Sequence, residues 1–180
     1  MKRSFKILNY ECFLNLYMNM ALIGNTSIRG DHMLENIVIA LIIPWVLILI
    51  LYFKDRKVLL TIAPFQSSIA YTINAFGFYF GFWDLYPFGH REIVHVPFDI
   101  GIYPMISAWM VHYIKYKKMN PLIWIFIFTI LTTVIEGAGV IMGRIVYRRG
   151  WNIGCTFVSY LIPYILNYLY YVQLKKSKVF

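Results

Sequence analysis

The sequence predicts an all-α fold, a polytopic transmembrane bundle of five spans, or six if the N-terminal segment also crosses. Three observations predict it. The 180 residues are 60% hydrophobic and only 14% charged, whereas a soluble domain usually carries about a quarter charged residues. Five apolar stretches approach the roughly 20 residues that a helix needs to cross the hydrocarbon core. Basic residues cluster between alternate pairs of those stretches, as loops on one side of a membrane do. A mean hydropathy of +0.62 agrees. A soluble enzyme or nucleic-acid-binding domain is excluded, and the net charge of +9 belongs to loops beside anionic lipid.

The first span runs from Ile37 to Phe53 and closes at Lys54-Asp55-Arg56-Lys57. The second extends from Val58 to about Phe82, and the third from Val96 to Ile114, before the basic loop Lys115 to Asn120. The fourth covers Pro121 to about Gly143, the fifth Ile153 to Leu174. Residues 33–176 thus form one transmembrane domain, with 177–180 a short basic cytoplasmic tail. In residues 1–32 the apolar pattern is broken by Asn9, Glu11, Asn15 and Asn19, with no small-residue cleavage site. Phe5, Leu8, Cys12 and Leu16 fall at helical spacing, so this extension reads as an amphipathic helix on the membrane surface.

The loops after spans one and three, with the tail, hold nine basic residues: Lys54, Arg56, Lys57, Lys115, Lys117, Lys118, Lys175, Lys176 and Lys178. The opposite loops hold four: Arg91, Arg144, Arg148 and Arg149. The larger set is expected in the cytoplasm, which places the C-terminus there, in a bacterial cell membrane. The four outer arginines need compensation, and Asp84, Glu92, Asp99 and Glu136 lie at the same end.

Ionisable residues within spans are costly and raise functional suspicion. Asp99 follows Pro97 in the first turn of span three, where an acid favours the helix dipole, or it serves chemistry. Glu136 lies too deep in Ile130–Glu136 to reach water easily. It reads as half of an ion pair with Arg144 or Arg91, as a protonated acid shared between helices, or as a proton- or cation-handling group. Glu136, Asp99, Arg144 and Arg91 form the candidate polar cluster. Gly77 with Gly81, and Gly139 with Gly143, form two G-x-x-x-G pairs, each continuing a polar stripe, and are expected to pack helices. Pro44, Pro104 and Pro163 are expected to kink their spans. Cys12 and Cys155 make no disulfide framework, the histidines are scattered, and neither metal nor cofactor is expected.

The stretch Pro97-Phe98-Asp99-Ile100-Gly101-Ile102-Tyr103-Pro104 resembles the signature of a family of small multi-spanning membrane proteins of unknown function from spore-forming Firmicutes. Members open a span with Phe-(Asp/Glu)-x-x-x-Tyr-Pro, then carry a basic loop, a span ending in a glutamate and a Trp-Asn pair. Lys115 to Lys118, Ile135-Glu136 and Trp151-Asn152 match those positions, as Tyr86-Pro87 matches an earlier Tyr-Pro. Many relatives place a second acid where this chain has Val140, and they begin near Met33. The resemblance implies a bacterial membrane protein and no particular activity.

The expected function is therefore that of a structural or partner-binding membrane protein, in contact with the lipid bilayer and a second copy or a membrane partner, without nucleic acid. Two alternatives stand beside it. One is a small oligomeric transporter or channel component using Glu136. The other is a membrane enzyme acting on a lipid or isoprenoid, with Asp99 and Glu136 as acid–base groups.

Overall fold

A computed structural model describes residues 29–180. The expected N-terminal extension therefore lies outside the described residues up to position 28. Helix α1 (Arg29–Ile37) straddles the boundary drawn at 33 and passes through a π-helical turn, Val38–Ile42, into helix α2 (Ile43–Phe80). A strand β1 (Trp83–Leu85) follows, then a second π-turn, Phe98–Ile102, leading into α3 (Tyr103–Tyr116). Helix α4 (Pro121–Ile141), strand β2 (Ile145–Tyr147) and helix α5 (Ile153–Lys176) complete the chain. The architecture is mostly helical, as the sequence predicts, but β1 and β2 form an antiparallel ribbon that the all-α expectation lacks.

Three helical runs are long and apolar enough to cross a membrane: Met33–Phe80, Pro121–Ile141 and Ile153–Lys176. The first holds 48 residues, about 72 Å if straight and more than twice the hydrocarbon thickness. It is not straight. Asp55 leaves helical geometry at φ −153°, ψ 71°. Both ends of the run reach the ribbon: Asn36 donates to the Tyr86 carbonyl at 2.6 Å, and Phe82 accepts from the Arg148 N–H at 2.8 Å. The chain therefore doubles back at Asp55, where the sequence divides spans one and two. The Asp55 carboxylate accepts from the Val58 N–H at 3.3 Å and caps the returning helix. Positions 96–116 are continuously helical but are not among the three apolar runs. That stretch buries Asp99 and Ser107 instead of presenting an apolar surface all round.

Asp55, Lys115 and the tail meet at the end away from the ribbon. Lys115 Nζ lies 2.8 Å from Asp55, Lys57 donates to the Val179 carbonyl at 3.2 Å, and Lys115 sits 5.1 Å from the Phe180 ring centroid. The loops that the charge pattern assigns to one side thus share one end. Between the two ends, Val58, Ile62, Met110, Val111, Ile125, Phe128 and Tyr164 pack the core between α2, α3, α4 and α5. Large apolar side chains such as Phe53 (85% exposed) and Ile141 (89%) face outward, the pattern of a helix whose surroundings are themselves apolar.

The two π-turns cross. Pro104 has no N–H for the Ile100 carbonyl, and the Trp45 indole from α2 donates to that carbonyl at 3.1 Å. Pro44 likewise frees the Ala40 carbonyl, which faces Gly101 so closely that a Cβ there would lie 2.0 Å from the oxygen. This is the close helix–helix approach of the fold, and it uses Gly101 rather than either glycine pair singled out in the sequence. Gly77 and Gly139 instead make room for the Trp83 and Ile145 side chains, and Gly81 and Gly143 end their helices at φ +66° and +69°. In each case the second glycine donates to the residue three before it, and the next residue donates back to the first glycine: Phe82 N–H to Gly77 at 2.9 Å, Arg144 N–H to Gly139 at 2.9 Å. Both G-x-x-x-G pairs are Schellman caps, whose glycines also stand four apart. Each turns its helix into one strand of the ribbon. Pro44 and Pro104 thus sit just after irregular turns, as the kink expectation requires, while Pro163 lies inside α5.

Candidate functional site

Glu136 lies on the face of α4 that meets α5 and β2. Tyr147 of β2 donates to Glu136 Oε1 at 2.7 Å, and the Thr156 hydroxyl lies 3.0 Å from the same oxygen. Tyr160, one turn beyond Thr156 on α5, donates to Oε2. Tyr103 stands 3.2 Å from Tyr160; Tyr160 has given its one proton to Glu136, so Tyr103 is the donor there. The Trp151 indole donates to Thr156 at 2.9 Å and holds that hydroxyl in place. Burial and the adjacent carboxylate raise the Tyr147 hydroxyl above its ordinary value, so it remains a donor. Around Glu136 the structure assembles neutral hydroxyls and no basic partner among the described residues.

Two cavities meet at this cage. One, of about 40 Å³, is lined by Gln66, Asn74 and Ser159 together with Glu136, Tyr103 and Tyr160. The other, of about 220 Å³, shares those last three residues and extends between α1 and α4. Its apolar walls include Ile39, Ala40, Ile135 and Met142, and Asn36, Tyr86, Thr132 and Arg144 add polar groups.

Asp99 is 1% exposed and belongs to a separate site. It accepts from Asn74 at 2.7 Å and pairs with His95 Nδ1 at 2.5 Å, which ties α2, the loop and the second π-turn together. The sequence places Asp99 in a first helical turn at the interface. The structure keeps it in that first turn, after Pro97, but not at the interface, because His95 and Asn74 close over its side chain. Arg144 does not pair with Glu136 but with Glu35 of α1, and it stacks 5.3 Å from the Tyr86 ring centroid. Arg91 pairs with Asp84 at 2.6 Å, and Arg148 takes the other oxygen of Asp84 at 2.7 Å. Arg91, Arg144 and Arg148 are thus paired with acids at the same end, with Asp84 and Glu35 instead of Asp99 and Glu136.

The four candidate residues thus fall into separate hydrogen-bonded sites, of which Glu136 and Arg144 share a cavity. Tyr147, Thr156 and the Trp151 indole are not legible in the sequence as Glu136 partners. Ribbon register sets their approach, with Leu85 opposite Ile145 and Trp83 opposite Tyr147. Tyr160 carries a signal, since it belongs to a face of tyrosines spaced by four on span five. No group of three or more His, Cys, Asp or Glu side chains is arranged to hold a metal among the described residues.

Fold and site define a helical protein with membrane-length apolar helices and a polar end at the ribbon. Compared with known proteins, the chain matches no family model, no curated protein and no solved structure.

Proposed function

We propose that this chain is a five-span protein of a bacterial cell membrane, with its C-terminus in the cytoplasm, whose role is structural or partner-binding. The single observation that carries this reading is how its acids are used. Glu35, Asp84, Asp99 and Glu136 each join segments distant in sequence through hydrogen bonds or ion pairs. Carboxylates occupied in this way act as fasteners between spans. The reversal at Asp55 supports two crossings within the 48-residue run, and the nine-to-four split of basic residues supports the orientation. The likeness to small membrane proteins of spore-forming Firmicutes supports the bacterial setting. The enzyme reading has less support, since Asp99 lines neither of the cavities that Glu136 lines.

One observation favours transport as the second reading: Glu136 stands between two cavities. Reconstituted vesicles under a pH gradient separate the two. On the structural reading, Glu136→Gln lowers resistance to unfolding by about 1–3 kcal/mol and leaves ion leak unchanged. Loss of a proton or cation flux with unfolding unaltered would establish transport instead. Labelling of Lys117→Cys from outside intact cells would overturn the orientation.

A further inference from the structure

The larger cavity opens between α1 and α4, whose flanking residues Ile39 (59% exposed), Ile135 (40%) and Met142 (69%) face outward. On the membrane placement proposed above, on which this inference rests, those side chains meet lipid, so a bilayer lipid is what stands at the opening. The cavity also has a charge pattern. Glu136 presents a carboxylate whose partners among the described residues are all neutral hydroxyls, and a carboxylate in apolar surroundings favours a cation. Its Oε1 accepts from two sides, whereas Oε2 receives Tyr160 alone and keeps acceptor capacity. Arg144, at the outer rim, offers a guanidinium that Glu35 shares but does not enclose, its side chain being 38% exposed.

We propose that this cavity is a binding site for a zwitterionic aminophospholipid of the surrounding leaflet. Its ammonium hydrogen-bonds Glu136, its phosphate faces Arg144, and an acyl chain lies along Ile39, Ile135 and Met142. An anionic lipid without an amine would meet Arg144 but bring no cation to Glu136. A phosphatidylcholine carries the same charges but no N–H to donate, so it separates charge attraction from hydrogen bonding. Among the described residues, α1 and its π-turn pack on the second π-turn and α2, while α4 packs on α3, α5 and β2, which leaves a side opening between α1 and α4.

The test is native mass spectrometry of the full chain released from vesicles of equal phosphatidylethanolamine, phosphatidylcholine and phosphatidylglycerol. The wild-type protein should retain phosphatidylethanolamine about tenfold over either competitor, the ratio that one charge-assisted hydrogen bond supports. Glu136→Gln should bring that preference close to unity. Ile39→Trp, which fills the opening and touches none of the fastening pairs, should reduce retention of every lipid while the protein still unfolds as the wild type does. Equal retention of the three lipids, or unchanged preference in both variants, overturns the assignment. A cavity filled by the chain itself would yield no bound lipid from any vesicle, which overturns it too. If the chain resists alkaline carbonate extraction through such a failure, the membrane reading stands without this site. If carbonate extracts it, both fall.

Discussion

The two ends of the molecule solve the same problem with different partners. At the tail end, Asp55 takes a lysine: Lys115 Nζ is 2.8 Å away and its side chain is 22% exposed. At the ribbon end, Asp99 and Glu136 take an amide, an imidazole and hydroxyls. Depth explains the difference. A lysine beside the tail keeps contact with water, so pairing costs little desolvation. Within the bundle a second charge would have to be desolvated as well, and neutral donors satisfy a carboxylate without that penalty. Neutral donors are short, however, so several must converge. The ribbon brings Tyr147 to Glu136, and the proline-linked crossing positions the turn that carries Asp99.

The largest expected effect comes from breaking that crossing. Gly101→Val places a side chain against the Ala40 carbonyl, where even a Cβ would lie 2.0 Å from the oxygen. Backbone cannot yield as a side-chain tip does, so the variant should lose at least about 3 kcal/mol and fail to accumulate in membranes. Next comes Asp99→Ala, which strands the buried Asn74 and His95 and should cost about 2–3 kcal/mol by denaturant unfolding in micelles. Asp55→Ala at the other end should cost less, about 1 kcal/mol, because its partner can turn to water.

Acidity sharpens the same contrast. Burial alone would raise the Asp55 carboxyl, but the bonds from Lys115 and the Val58 N–H hold it below its ordinary value. Burial works against the Lys115 charge too, yet Asp55 keeps that ammonium above its ordinary value. A depressed acid stabilises the fold above its unfolded pKa of about 4 and loses that contribution as pH falls through the folded value. A raised lysine contributes fully below its unfolded pKa of about 10.4 and loses it as pH rises through the folded value. Unfolding midpoints measured across pH should therefore fall at both extremes, and Asp55→Asn should flatten both limbs. An effect as small as that of Asp55→Ala is expected at Gly143, where φ is +69° and a Cβ would meet nothing within 4 Å. Gly143→Ala should cost about 1 kcal/mol from backbone conformation alone, read from the same unfolding curves.

How far the sequence discloses this arrangement depends on range. The reversal at Lys54-Asp55-Arg56-Lys57 is legible because charge inside an apolar run marks water. The half-buried, protein-facing position of Glu136 is legible because a lone acid deep in such a run must point at protein. The glycine pairs mislead, because a Schellman cap and a helix-packing motif both space glycines by four. What distinguishes them is the short strand that follows each second glycine, Trp83–Leu85 and Ile145–Tyr147, the latter rich in β-branched and aromatic residues. Gly101 carries a signal of its own, a small residue within the turn before a helical proline, opposite Ala40 before Pro44. The partners of Glu136 are not legible, since Tyr147 and its neighbours reach it only through the pairing of two three-residue strands.

The central claim is that Glu136 fastens α4 to α5 and the ribbon. A double-mutant cycle on unfolding free energy, using Glu136→Gln, Tyr160→Phe and the pair in the same bilayer mimic, tests it most directly. The account predicts coupling of about 1 kcal/mol or more, since Tyr160→Phe removes the donor and Glu136→Gln removes the charge that strengthens the shared bond. Strictly additive losses, or single variants as stable as the wild type, would contradict it.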